Sequence, residues 1–200
     1  HIIKISNDIK NHFKKTYHYL QLALICNNEI ENIHQQVFNS DTANSKIQNI
    51  IKDLPDGKSV KQPSERHLFA SGITPGGLVN FFDNITLNCN KRYLLKGKPG
   101  TGKSTLIKKI AATAINQGYN TLYLHCSLNP KNVDGAVIPE LKTAVINNTS
   151  PHTVKQNKKN DKIINMMECL DKTKIPQEEI EDYKQLYEKY INKALEELKK

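Results

Sequence analysis

The chain has 200 residues, enough for one ordinary domain with an appendage and for a sizeable buried core. It lacks both the run of roughly 20 apolar residues that a membrane helix needs and an apolar signal-peptide stretch, so a cytoplasmic protein with no membrane partner is expected. Of the net charge of +9, most falls in residues 61–150, which hold eleven Lys and Arg against four acids.

In chain order, residues 6–37 read as a helix. Ile9, Phe13, Tyr17, Leu20 and Leu24 recur at three- and four-residue spacing and predict one buried stripe. Ile47, Ile50, Ile51 and Leu54 mark a second helix, ended by the turn Pro55-Asp56-Gly57. From Arg66 the pattern becomes short apolar runs between turns. Leu68 to Ala70 reads as a strand, Thr74-Pro75-Gly76-Gly77 as a break and 78–83 as a short helix. Arg92 to Leu95 is a strand that leads into a glycine-rich loop. Residues 103–117 form an amphipathic helix stopped by Gly118, and Thr121 to His125 is the next strand. Strand, helix, strand here is a βαβ unit. Ala136–Ile138 and Ala144–Ile146 are further short strands, 155–162 reads as a surface loop, 162–171 as a short helix and 176–198 as a long one. The terminal helices match at an offset of 171, with Ile9, His12, Tyr19, Leu20, Ala23 and Leu24 falling on Ile180, Tyr183, Tyr190, Ile191, Ala194 and Leu195. That pattern suggests an internal repeat.

The segment Gly97-Lys98-Pro99-Gly100-Thr101-Gly102-Lys103-Ser104 satisfies every position of G-x-x-x-x-G-K-[ST], and Thr105 follows it. Its glycines let successive backbone amides face one anion, and the start of the following helix adds free amides and a positive dipole end. Lys103 is expected to reach the β- and γ-phosphates of ATP or GTP, and the Ser104 hydroxyl to ligate Mg²⁺. The concentration of positive charge around this loop fits a polyphosphate site. The dispersed basic residues, without interleaved aromatics, do not make a nucleic-acid binder. Hydrolysis also needs a carboxylate near the metal. Asp134 and Glu140 are the acids near strand ends, and Arg66 is the one arginine available in a loop to stabilise charge. With only Arg66 and Arg92 in the chain, a self-sufficient nucleoside monophosphate kinase is disfavoured. The four cysteines, Cys26, Cys89, Cys126 and Cys169, form no C-x-x-C pair, and His125-Cys126 with His152 lacks metal-ligand spacing.

The segments Arg66 to Pro75, the glycine-rich loop, His125-Cys126, Asp134 to Leu141 and Thr149-Ser150-Pro151-His152 together resemble an uncharacterised bacterial family of P-loop ATPases, often labelled nucleotide kinase-related and built from two tandem P-loop halves. The resemblance covers about residues 60–154. It implies that residues 1–55 are the helical tail of a preceding half, in keeping with a chain that begins at His1, that 56–65 is a linker, and that 66–200 is the nucleotide-binding domain. Where Asn147 stands, the family pattern has an Asp that would serve Mg²⁺, so Asn147 takes that place here and slow hydrolysis is expected. The expected fold is α/β, the P-loop nucleoside triphosphate hydrolase type: a mostly parallel sheet flanked by helices with a helical N-terminal appendage. The expected activity is binding of a nucleoside triphosphate with Mg²⁺ and slow hydrolysis. A small-molecule or nucleotide kinase and a non-catalytic nucleotide sensor are the alternatives. A stripe orphaned from a lost partner would fold back on the domain or pair with a second copy, giving a homodimer through the N-terminal helices.

Overall fold

A computed structural model describes residues 2–55, 62–150, 153–156 and 159–200. The elements in order are α1 (Ile2–Gln36), α2 (Ser40–Lys52), β1 (Glu65–Phe69), β2 (Ser71–Thr74), β3 (Gly77–Asn80), α3 (Phe82–Ile85), β4 (Lys91–Lys96), α4 (Lys103–Asn116), β5 (Thr121–His125), β6 (Val133–Ile138), β7 (Thr143–Asn147), β8 (Asp161–Asn165) and α5 (Gln177–Leu198). Six strands form one sheet in the order β1-β5-β6-β7-β4-β8. All run the same way except β6, which is antiparallel to both neighbours. Its direction follows from its connections. The segments 126–132 and 139–142 are too short for the crossover a parallel neighbour requires, so β6 can pair only as a hairpin strand. Lys142, at φ 46°, makes the tight return into β7.

The fold is therefore α/β with a mostly parallel sheet and flanking helices. Side chains of β4 alternate between its two faces. Tyr93 and Leu95 join a core with Leu106, Ile107 and Ile110 of α4 and Ile47 and Ile50 of α2. Leu94 joins an opposite core with Phe82, Leu124 and Ile146. Thus α2 is one of the helices that cover the sheet and contributes to the same core as the glycine-loop helix. No helix among the described residues is long and apolar enough to cross a membrane.

Several expectations need correction. The expected βαβ unit does not pair its two strands directly: β4 and β5 are separated by the β6–β7 hairpin. Residues 71–80 form the small β2–β3 hairpin, turned at Gly77 with φ 110°, and only 82–85 are helical in place of the expected 78–83. The segment 161–165 is the edge strand β8 rather than the start of a helix, because its residues pair in register with β4. Asp161 is fixed there by the buried guanidinium of Arg92 at 2.7 Å. Asn165 then caps a 3₁₀ turn over Met166–Cys169 through the Met167 amide.

The stripe on α1 is also rotated from expectation. Phe13 and Tyr17 are 48% and 61% exposed, and Ile9 is exposed too. The buried face is Thr16, Ala23, Cys26, Ile30 and Ile33, which repeats at three- and four-residue spacing one position away from the apolar stripe. Along it α1 packs antiparallel to α5: His12 meets Glu197 at 2.8 Å near one end, and Ile30 and Ile33 cluster with Ile180 at the other. Small residues win the seam because Ala23 and Ala194, both fully buried, let the two backbones approach. Residues 56–61, 151–152 and 157–158, which include most of the expected linker, His152 and part of the expected 155–162 loop, lie outside the described residues.

Candidate functional site

The glycine-rich loop leaves the C-terminal end of β4 and turns into α4. Gly100 and Gly102 have φ 78° and 82°, left-handed values that suit glycine, and Gly102 is the residue before the first turn of α4. Thr101 is buried and its hydroxyl donates to the Lys98 carbonyl at 2.8 Å. Thr149, just past β7, donates its hydroxyl to the Gly97 carbonyl at 3.0 Å. Met166 packs on Gly97, where a Cβ would come within 3.1 Å of it.

Lys103 folds back over this loop. Its ammonium donates to the carbonyls of Gly97 and Lys98 at 2.6 and 2.7 Å and to the Thr101 hydroxyl at 3.3 Å. Burial pushes its pKa down to about 8, against the pull of Asp134 and Glu31. The buried ammonium is thus held by two loop carbonyls and a hydroxyl, with no carboxylate hydrogen-bonded to it among the described residues.

Beside it lies a cluster of oxygens. The Val133 amide donates to Ser104 Oγ at 2.9 Å, which places the start of β6 against the start of α4. The next residue, Asp134, is 5% exposed, and its Oδ1 accepts from Asn147 Nδ2 at 2.9 Å. Asn147 is held there because β7 is the direct neighbour of β4, in register with Leu95. Its own Oδ1 is buried with no hydrogen-bond partner among the described residues. The Cys126 thiol hydrogen-bonds Asp134, and burial, followed by that carboxylate, pushes it up to about 12, so it is not a ready nucleophile.

Two other expected residues are placed elsewhere. Arg66 is exposed on β1, the far edge strand, with β5, β6 and β7 between it and β4. Glu140 follows β6, whose C-terminal end lies level with the start of β4, at the end of the strands opposite the loop, and it accepts from the Asn120 amide at 3.1 Å. Neither residue is brought to Lys103. His125 is likewise bound at the exposed β1–β5 edge, to His67 at 2.8 Å and to the Pro130 carbonyl at 2.7 Å.

The C-terminal end of α1 covers the loop, which nothing in the sequence indicated. A Cβ on Gly100 would stand 2.6 Å from the Glu31 carbonyl oxygen and 2.9 Å from His34 Cβ, and one on Gly102 would stand 2.9 Å from Phe38 Cζ. The His34 ring is fully buried, donates through Nδ1 to the Pro99 carbonyl at 2.6 Å, and is held below its usual pKa by burial. A cavity of about 670 Å³ opens between these elements, lined by Glu31, Lys103, Ser104, Asp134, Asn147 and Tyr187 among others. Glu31 and Asp134 are its two carboxylates among the described residues. No family model, curated protein or solved structure matches the chain.

Proposed function

We propose that the protein binds a nucleoside triphosphate, ATP in the first instance, with Mg²⁺ at residues 97–105 and hydrolyses it slowly. The observation that carries this reading is the buried Lys103 ammonium, folded onto the carbonyls of the glycine-rich loop at the N-terminus of α4. Gly97, Lys98, Pro99, Gly100, Thr101 and Gly102 supply the cradle, and Ser104 and Thr105 the first helical amides.

The residues present also fit Mg²⁺. Ser104 Oγ, the Asp134 carboxylate and the unpartnered Asn147 Oδ1 are hard oxygen donors gathered in one corner of the cavity. A single protein carboxylate suffices for this ion, which takes its remaining ligands from phosphate and water. Bound there, Mg²⁺ would neutralise phosphate charge. Lys103 would leave the loop carbonyls for the β/γ-oxygens, and Asn147 would hold Asp134 in place. With an amide in place of a second charge, turnover is slow.

The test is calorimetry with Mg·ATP and a non-hydrolysable analogue. Lys103→Ala is expected to weaken binding at least about 100-fold through loss of a charge-assisted contact. Affinity within a few-fold of the parent would overturn the reading. A second reading, phosphoryl transfer to a small molecule, is favoured by the part of the cavity that runs past the loop to Leu24, Asn27, Tyr187 and Ile191 on the terminal helices. Release of ADP that requires an added acceptor would select it. Binding with no turnover under either condition would select a nucleotide sensor.

A further inference from the structure

We propose that Glu31, delivered by the N-terminal helix rather than by the sheet, is the carboxylate that takes the proton of the hydroxyl attacking the γ-phosphate. The inference rests on the triphosphate reading above. Position, elimination and orientation lead to it.

The first is position. The backbone of Glu31 lies directly over Gly100, and its side chain lines the cavity with Lys103. The lysine that reaches the terminal phosphates therefore shares the cavity with this carboxylate. The second is elimination. Of the two carboxylates in the cavity, Asp134 is tied to Asn147 and Cys126 beside Ser104, on the metal side. Glu31 is carried by α1, outside the sheet, and has no such bond to Asn147, Cys126 or Ser104 among the described residues. The third is orientation. Asn27, one helical turn earlier, donates to Glu31 Oε1 at 3.1 Å and fixes the carboxylate toward the cavity. Burial also raises its pKa, against the Asn27 bond and the Lys103 charge, which makes it a stronger base than an ordinary carboxylate.

The step balances without further reagents. The oxygen of water forms a bond to the γ-phosphorus as the bond from that phosphorus to the β,γ-bridging oxygen breaks. The electron pair of the broken bond leaves on the nucleoside diphosphate. The proton of the water passes to the Glu31 carboxylate and from there to solvent, and inorganic phosphate is released. An acceptor alcohol in place of water would be handled identically and would carry the phosphoryl group away.

Water is the probe for the test. Single-turnover hydrolysis of Mg·ATP by the full chain is measured for the parent, Glu31→Gln, Glu31→Asp and Asn27→Ala, with the affinity of a non-hydrolysable analogue determined for each. Glu31→Gln is expected to lower the rate about 100-fold or more while affinity stays within about threefold. Glu31→Asp, which keeps the carboxylate, is expected to retain an intermediate rate. Asn27→Ala is expected to slow turnover several-fold with affinity unchanged, and it keeps the inference testable should Glu31→Gln fail to fold. An unchanged rate in Glu31→Gln overturns the inference. So does a faster rate or tighter binding, which would mark Glu31 as a counter-ion that blocks the loop. A parent that binds Mg·ATP without turnover also overturns it and leaves the binding reading intact. A parent that binds no triphosphate overturns the binding reading itself.

Discussion

The chemistry of Lys103 is set by its surroundings. In the free protein burial holds its pKa at about 8, whereas an ordinary lysine titrates near 10.5. A polyphosphate would restore the preference for the charged form and raise that pKa. Below about pH 8 the free ammonium is already protonated, so this group leaves affinity flat. Above pH 8 the free protein loses the proton and must take one up on binding. Affinity then falls with rising pH, by up to about tenfold per pH unit. Calorimetry in buffers of different ionisation enthalpy should show proton uptake near pH 9 and none attributable to Lys103 near pH 7; equal uptake at both would contradict the mechanism. Asn147 gives a second test at this scale. Asn147→Asp would set one carboxylate against the Asp134 oxygen that the amide now serves. Without Mg²⁺ the pair should lower stability by on the order of 2 kcal/mol. The loss should be greater at high pH and relieved as pH falls and one carboxyl takes a proton. Thermal melts should therefore show a lower midpoint in EDTA and a larger rise with Mg²⁺·ATP than in the parent, with hydrolysis increased by up to about 10²-fold. A melt unaffected by either ligand would remove the metal from this corner.

Among the elements, the glycine-rich loop and its helix were fully legible, because spacing in G-x-x-x-x-G-K-S and the flanking strand and helix are local signals. The Asp134 corner is half legible: Asp134 is read from its place near a strand end and Asn147 from the family resemblance, but their hydrogen bond depends on β6 entering the sheet antiparallel between β5 and β7. Glu31, His34 and Phe38 were not legible. Glu31 and His34 lie in a helix with no motif and Phe38 just past its end, far before the loop in sequence, and only the packing of α1 brings them to it. The same helix misled in another way, since the large apolar residues from Ile9 to Tyr17 suggest a seam that runs instead through Thr16, Ala23, Cys26, Ile30 and Ile33. The α1–α5 contact should therefore respond to size at Ala194 and not at Phe13. Ala194→Leu is expected to destabilise by about 1–3 kcal/mol through overpacking, a fall in melting temperature of about 2–4 °C per kcal/mol. Phe13→Ser should stay within about 0.5 kcal/mol of the parent. The reverse ranking in chemical denaturation would place the seam on the apolar stripe after all.

For the whole molecule, the consequence is that the two ends of the chain belong to the site. α1 packs along α5, its C-terminal part rests on Gly100, Phe38 just past it rests on Gly102, and α2 then enters the core shared with α4. A ligand at the loop is therefore expected to act on residues that precede it by more than sixty positions. By contrast β1, on the far side of β5, β6 and β7 from β4, stands about 19 Å away at the usual strand spacing. Hydrogen exchange followed by mass spectrometry separates the two regions. Saturation with a non-hydrolysable Mg·triphosphate at about 100 times its Kd stabilises the native state by about 2.7 kcal/mol, which slows every amide that exchanges through global unfolding. Amides that open locally respond only where the ligand is felt. Added protection is expected at 97–105, at 132–134 and at 31–38, with local exchange in Glu65–Phe69 unchanged. Protection confined to 97–105 would show that α1 rests on the loop without energetic coupling. Faster exchange at 31–38 would show that the ligand displaces the helix, in which case the C-terminal turn of α1 competes with the phosphates rather than facing them.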